Sequence, residues 1–301
     1  MTGVAPRVDI VLLNWNKSVV TLACVAALRH QTYGNARVLV VDNGSAAEDV
    51  EALVAAKGEF ELMRNPRNLG FTGGVNTGIA RAMADGADYV WLLNNDAIPG
   101  VDTLTRLVAA AEADQRVGLV SPVIRETEEG GAIDSCGGLV HMAPLNFETT
   151  TDPAVAAGWM RTDADRIWLA GTSLLIRRSV IEAIGAFDDR FFAYWEDNDY
   201  SLRSLRAGFR NIVVLEAEVA HESAMPNAAA HGKPPYFYYY MARNELLLLR
   251  KHGGMSHNAR SLVWSVRRQW RLLARLGDYP AARKAIWQGL RDGLLGRGGP
   301  W

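Results

Sequence analysis

Tyr194-Trp195-Glu196-Asp197-Asn198-Asp199 places three carboxylates within four residues, directly behind two aromatic rings. Apolar neighbours and clustered negative charge both raise a carboxylate's pKa, which suits a general base. The same acids would also favour a helix N-terminus through its dipole, and these residues alone leave both readings open. Asn94-Asn95-Asp96 closes an apolar run. A carboxylate there could hold Mg²⁺ or Mn²⁺ while leaving room for phosphate oxygens, or the run could be an Asx turn before the next helix. His221 comes soon after the apolar Val213–Leu215; alone, it reads as a satisfied histidine at an element end rather than a ligand. Arg64 to Asn76 is a Gly-rich turn with Arg64, Arg67 and three asparagines, which would let backbone approach a nucleotide with a cation near its phosphates. The stretch is neither GxGxxG nor the phosphate loop GxxxxGK[ST], and the chain has no GxSxG elbow.

Such residues need elements to carry them. Val8–Leu13, Arg37–Val41, Glu59–Met63 and Asp88–Leu93 are short apolar runs that read as strands. Lys17–His30, Gly73–Ala84 and Asp102–Ala113 have helical spacing. The alternation predicts an α/β fold: a mostly parallel, Rossmann-like central sheet with helices on both faces and ligands at the carboxyl ends of its strands. Polar residues stand at those ends: Asn14, Asp42, Arg64 and Asn94 to Asp96. Ser45 is placed to cap the next helix. Residues 117–177 read as irregular until a strand over Ile167–Arg177 that contains Gly171. A helix follows over Glu196–Ala207 and a strand over Arg210–Leu215. Met225–Pro235 is a candidate lid, and Tyr236–Lys251, Ser256–Leu276 and Pro280–Leu295 read as helices.

The chain has 301 residues, 49% of them hydrophobic, which is enough for a large core. Its two cysteines build no disulfide framework and no zinc spacing. With no signal peptide or membrane-spanning stretch read from the sequence, the expectation is a cytoplasmic protein. The formal charge of −1 hides an asymmetry. From Arg260 onward, nine basic residues face only Asp278 and Asp292, so this tail carries +7 and the preceding part −8. Trp264, Trp270, Trp287 and Trp301 lie among the cations. Such helices suit peripheral contact with an anionic membrane, or else a solvated basic face or an oligomer interface. No nucleic-acid reading module accompanies them.

Six stretches occur in a telling order: Val11 to Asn16, Val40 to Ser45, Asn68 to Asn76, Leu92 to Asp96, Ala170 to Ile176 and Phe191 to Asp199. Together the chain resembles glycosyltransferase family 2, the inverting family of the GT-A fold. Within that family it is similar to the rhamnosyltransferase-like branch, which includes galactofuranosyltransferases. The resemblance covers about residues 8 to 250. It implies a GT-A domain over 1–250, with a nucleotide-binding half (1–120) and an acceptor and catalytic half (121–250), and a basic helical extension over 251–301. It implies that Asn14 and Asp42 contact the base and ribose of a dTDP- or UDP-sugar, that Asn43 supports their loop, and that Arg64, Asn68 and Gly74 line the donor pocket. Asn16, Asn94 and Asn95 belong to the same donor-binding motifs. Asp96 matches the last acid of the family's Asp-x-Asp metal motif, whose first acid is replaced here by Asn94. His221 matches a histidine that completes the site for Mg²⁺ or Mn²⁺. Asp197 matches the catalytic base with Glu196 beside it, and Gly171 would lie beneath the sugar.

The implied activity is inverting transfer of a sugar, L-rhamnose from dTDP-rhamnose, to a glycan or lipid-linked acceptor. A UDP-sugar-dependent galactofuranosyl or hexosyl transferase is the rival, and a non-catalytic sugar-binding relative the non-enzymatic alternative. A nucleotidyltransferase would need a Gly-rich basic loop after the first strand, and Asn14-Trp15-Asn16 is not one.

Overall fold

The computed structural model describes residues 4–127, 131–222, 233–253, 255–276 and 279–301. The expected lid, Met225–Pro235, lies mostly outside them. The first part runs β1 (Val8–Asn14), α1 (Ser18–Leu28), β2 (Ala36–Asp42), α2 (Ala47–Ala55), β3 (Glu61–Arg64), α3 (Gly70–Ala84) and β4 (Tyr89–Leu93). These strands form the parallel set β3-β2-β1-β4. Side chains alternate between two cores, as a strand's period of two requires. Ile10, Leu12, Val40 and Trp91 enter one face, and Val11, Leu39, Val41, Val90 and Leu92 the other. Both faces are covered, so the strands read in the sequence as continuous apolar runs.

Next come β5 (Ala97–Pro99), α4 (Thr103–Ala113), β6 (Val117–Glu126), β7 (Ile133–Ser135), β8 (Gly138–Met142), β9 (Leu145–Thr149), α5 (Pro153–Thr162), β10 (Ile167–Trp168), β11 (Ser173–Arg177), α6 (Arg178–Ile184), α7 (Glu196–Arg206) and β12 (Arg210–His221). The sheet continues past β4 as β11-β6-β12-β5. There β11 is antiparallel to both neighbours, β6 and β12 are parallel, and β5 is antiparallel. A second, antiparallel sheet has the order β10-β8-β9. Three helices close the described chain: α8 (Pro235–His252), α9 (Met255–Arg275) and α10 (Pro280–Leu294). Among the described residues, no helix is long and apolar enough to cross a membrane.

Several expected elements are corrected. The described residues of 117–177 carry regular elements: the ten-residue β6, the β8–β9 hairpin, and α5 capped by Asp152, whose Oδ1 accepts from Ala154 N at 2.8 Å. The single strand over Ile167–Arg177 is two, because Trp168 pairs with β8 while Ser173 pairs with β4 in the main sheet; residues 169–172 cross between the sheets. The strand begun at Arg210 extends to His221 after a register shift between Val214 and Glu218, so the irregularity hid its second half. Ser45 caps nothing: Ala46 holds the N-cap of α2, and Ser45 Oγ serves Asn14 and Asn16 instead. Helix α3 starts three residues before Gly73, at Gly70, whose φ of +76° suits glycine.

Candidate active site

At the carboxyl ends of β1 and β2, the polar residues satisfy one another. Asn14, fully buried, donates through Nδ2 to Asp49 Oδ2 (2.7 Å), Ser45 Oγ (3.2 Å) and Asp42 Oδ1 (3.3 Å), and accepts from Thr21 Oγ1 (2.8 Å). Asn95 Nδ2 donates to the same Thr21 hydroxyl at 2.8 Å, which ties the β4 turn to α1. Asn16, at φ 54°, accepts from Ala46 N at 2.8 Å and fixes the β1–α1 turn. Asn43 donates to Asn68 Oδ1 (3.1 Å) and Gly70 O (2.9 Å), and accepts from Leu69 N and Asn65 Nδ2 (both 3.1 Å). Asn68 in turn accepts from Gly70 N at 2.7 Å. Arg64 is exposed, with Nε 4.0 Å from Asp42 Oδ2, and so overlooks the buried Asp42. Gly74 sits where α3 passes over β1. A Cβ there would collide with Leu13, so the glycine lets α3 lie close on β1.

Asp96 and His221 meet where β4 and β12 end. His221 Nε2 lies 3.2 Å from Asp96 Oδ1 and 3.3 Å from Asn94 Nδ2. Burial pushes the Asp96 carboxyl upward, but His221 and Lys17 outweigh it and hold it below the ordinary range. Asp96 Oδ1 and His221 Nδ1 are buried without a hydrogen-bond partner among the described residues. Buried polar atoms are rarely left so; the facing Asp96 Oδ1 and His221 Nε2 are an oxygen-and-nitrogen pair that fits a divalent cation whose other ligands come from phosphate. Among the described residues, no group of three or more His, Cys, Asp or Glu side chains gathers, consistent with a neutral Asn94 in the first acid's place. Lys17 Nζ, 3.9 Å from Asp96 Oδ2, is a cation at this edge that the sequence reading passed over. Its signal was its position one residue beyond the Asn14-Trp15-Asn16 strand end.

Glu196 and Asp197 open α7. Asp197 Oδ2 accepts from Gly171 N at 3.0 Å, and Oδ1 accepts from Asn198 N at 2.8 Å. Burial raises the Asp197 pKa, and these backbone donors only partly offset it. Glu196 is 8% exposed, with Oε2 unpartnered among the described residues. Burial, then the neighbouring Asp197 charge, lift its pKa well above the ordinary value. A cavity of about 300 Å³ opens beside both acids, walled by Phe147, Trp168, Tyr194, Trp195 and Arg268. A Cβ built at Gly171 would stand 3.5 Å from Asp197 Cβ, an ordinary contact, so the glycine keeps the approach to the carboxylate bare. Asp199 serves the fold: fully buried, it binds Arg203, Lys251 and His252 at 2.7–2.9 Å. Burial works against that charge, but His252, Arg203 and Lys251 prevail and lower its pKa.

The loop that delivers these acids is bent against its preferences. Phe192, Tyr194 and Trp195 have φ of 64°, 69° and 70°, each costing about 1–3 kcal/mol and persisting only where the surroundings impose it. Buried Asn244 of α8 imposes it, with Nδ2 2.8–2.9 Å from the carbonyls of Phe191, Ala193 and Tyr194. Arg243 Nη2 donates to the Arg190 and Phe191 carbonyls at 2.9 and 2.8 Å. Asn244, a polar residue inside a helical pattern, carries no cue to this role in the sequence.

The two centres share a backbone rung. Asn94 N donates to Thr172 O at 2.9 Å, and the adjacent Gly171 N donates to Asp197. The profile described as glycosyl transferase family 2 matches residues 9–161. The N-acetylglucosaminyl-diphospho-decaprenol L-rhamnosyltransferase of Mycobacterium tuberculosis is 30% identical over 241 residues, covering 70% of this chain and 77% of that protein. A galactofuranosyltransferase of Mycolicibacterium smegmatis is 25% identical, with 61% of this chain and 60% of that protein covered. A solved mannosyltransferase from Pyrobaculum calidifontis, in complex with GDP-Man and Mn²⁺, superposes with a TM-score of 0.60 at 18% identity, over 97% of this chain and 86% of that one. The chain therefore belongs to glycosyl transferase family 2, as an enzyme that transfers sugar from a nucleotide-sugar donor.

Proposed function

We propose that the enzyme moves L-rhamnose from dTDP-rhamnose to a hydroxyl of a glycan or lipid-linked acceptor, in one displacement that inverts the anomeric carbon. The observation that supports this reading is the shared rung: Asn94, two residues before Asp96, bonds to Thr172 O, and the adjacent Gly171 N bonds to the Asp197 carboxylate. Asp197 takes the proton of the attacking acceptor hydroxyl, and its raised pKa makes it a stronger base than an ordinary aspartate. Gly171 N and Asn198 N orient it. Lys17 and Arg64 stand at the donor edge as cations for the diphosphate. A Mg²⁺ or Mn²⁺ ion held by Asp96 and His221 would offset the negative charge growing on the leaving nucleoside diphosphate. Asp42, with the frame around Asn14, Asn16, Asn43, Asn68, Asn94 and Asn95, is assigned to the base and ribose. In this assignment residues 1–120 serve the donor, 121–250 serve the acceptor and the chemistry, and 251–301 are a basic extension.

The rhamnose assignment is supported by the M. tuberculosis relative. The galactofuranosyltransferase relatives support a second reading, a UDP-galactofuranose donor. The test is a thermal-shift panel of dTDP-rhamnose, UDP-galactofuranose, UDP-glucose and GDP-mannose, each with and without Mn²⁺. A ligand bound only by the folded state raises Tm by mass action. The expected result is the largest rise with dTDP-rhamnose, reduced by chelation. A larger rise with UDP-galactofuranose replaces the donor, and a rise indifferent to chelation removes the ion.

A further inference from the structure

We propose that α9 and α10 seat this enzyme on an anionic bilayer surface, with the apolar groove between them entering the lipid and the surrounding arginines meeting headgroup phosphates. The proposal rests on the transferase reading for what the docking serves, not for the docking itself.

Helix α9 has two unlike faces. Trp264 and Arg268, one turn apart, look toward the body: Arg268 Nη2 is 2.7 Å from Glu245 Oε2, and its guanidinium lies over the Trp195 and Trp264 rings. Leu262, Val266 and Trp270, spaced four apart, look away, and Trp270 is 62% exposed. On α10, Trp287 is 55% exposed, and Leu294 and Leu295 are exposed beside it. Between the two helices lies a groove of about 420 Å³ with Leu246 of α8 among its lining residues; nearly all of its lining is apolar. A soluble surface seldom leaves so many large apolar side chains together without an occupant.

Charge selects the occupant. Arg268, Arg291 and Arg297 have acidic partners. Arg267 and Arg271 of α9, and Arg283 and Lys284 of α10, are exposed and have no ion pair among the described residues. A second copy of this chain would set those cations against themselves. An anionic bilayer complements them, and tryptophans framed by arginines suit the interfacial layer between headgroup and acyl chain. The same helix carries Arg268 to the cavity beside Glu196 and Asp197. Docking would therefore hold the acceptor side of the active site close to the lipid surface, where a lipid-borne acceptor presents its sugar.

The test is cosedimentation of the full chain with phosphatidylcholine vesicles, with and without phosphatidylglycerol. Binding is expected to the anionic vesicles at low salt, to weaken as salt screens the headgroups, and to be at least about tenfold weaker without phosphatidylglycerol. Trp270→Ser with Trp287→Ser should lower partitioning by about tenfold or more. Arg267→Gln and Arg271→Gln should cost about fivefold each. Both sets should leave Tm and the nucleotide-sugar thermal shift unchanged. Absence of vesicle binding, or binding indifferent to the tryptophan pair, overturns the proposal. So does self-association that the tryptophan pair abolishes, since the groove then belongs to a second copy. A nucleotide-sugar shift that survives any of these leaves the transferase reading standing; loss of that shift with vesicle binding intact does the reverse.

Discussion

The edge around Asn14 and Asn43 and the edge around Glu196 and Asp197 are built on opposite plans. Around Asn14 and Asn43, each amide is matched by neighbouring oxygens and N–H groups, and the network is closed. Around Glu196 and Asp197, one carboxylate oxygen has no partner among the described residues, both pKa values are raised, and the backbone before them is strained. The first arrangement stores shape, and a saturated network of this kind makes a rigid, preformed surface. The second stores reactivity: a carboxylate deprived of water and counter-charge holds a proton more tightly, and so also accepts one more readily. Proteins leave buried polar groups short of partners where chemistry will supply them.

This contrast can be broken by substitutions on each side. The largest effect is expected from Asp197→Asn, which keeps the shape and removes the base. Transfer kcat should fall by about 10²–10⁴-fold, with Tm and donor affinity little changed. A kcat near that of the parent enzyme would remove Asp197 from its role. Asn14→Ala should do the reverse. It strands Thr21, Asp49 and Asp42 in a buried frame and should cost about 1–3 kcal/mol of stability, seen in urea unfolding, with KM for the donor rising more than kcat falls. An unchanged midpoint would mean the closed network is not what stabilises this edge. The smallest and most discriminating effect is expected from Glu196→Gln. A carboxyl whose pKa is raised on folding binds its proton better in the folded state, so its contribution to stability is present at acid pH. That contribution is lost as pH rises from the ordinary carboxylate range through the raised value. Glu196→Gln should therefore raise Tm at neutral pH and leave it unchanged in acid. A pH-independent difference would mean that Glu196 has a counter-charge in solution.

Much of the edge around Asn14 was legible in the sequence, because apolar strands ending in Asn14, Asp42 and Asn94 announce the sheet and its polar carboxyl edge. The edge around Glu196 and Asp197 was less so. The three acids of 196–199 looked alike, though Arg203 four residues beyond Asp199 was a readable sign of a helical ion pair; Lys251 and His252, which complete that cluster, come from a helix no spacing rule could bring there. The strand over 167–177 was misjudged because Gly171 interrupts an apolar run without revealing that its two parts belong to different sheets. The β8–β9 hairpin was missed because its strands are five residues each and lack a sustained alternation. His221 is joined to Asp96 by the family resemblance and not by spacing: the register shift in β12 that carries it to Asp96 leaves no compositional mark.

The bent segment before Glu196 and Asp197 owes its shape to Asn244, fifty-three positions downstream of Phe191. Anyone hoping to change which acceptor this enzyme uses would naturally graft residues 191–197 from a relative. Such a graft would carry the letters without the mould. Loop and helix α8 form one transplantable unit, and exchanging them together is the engineering step that this architecture permits.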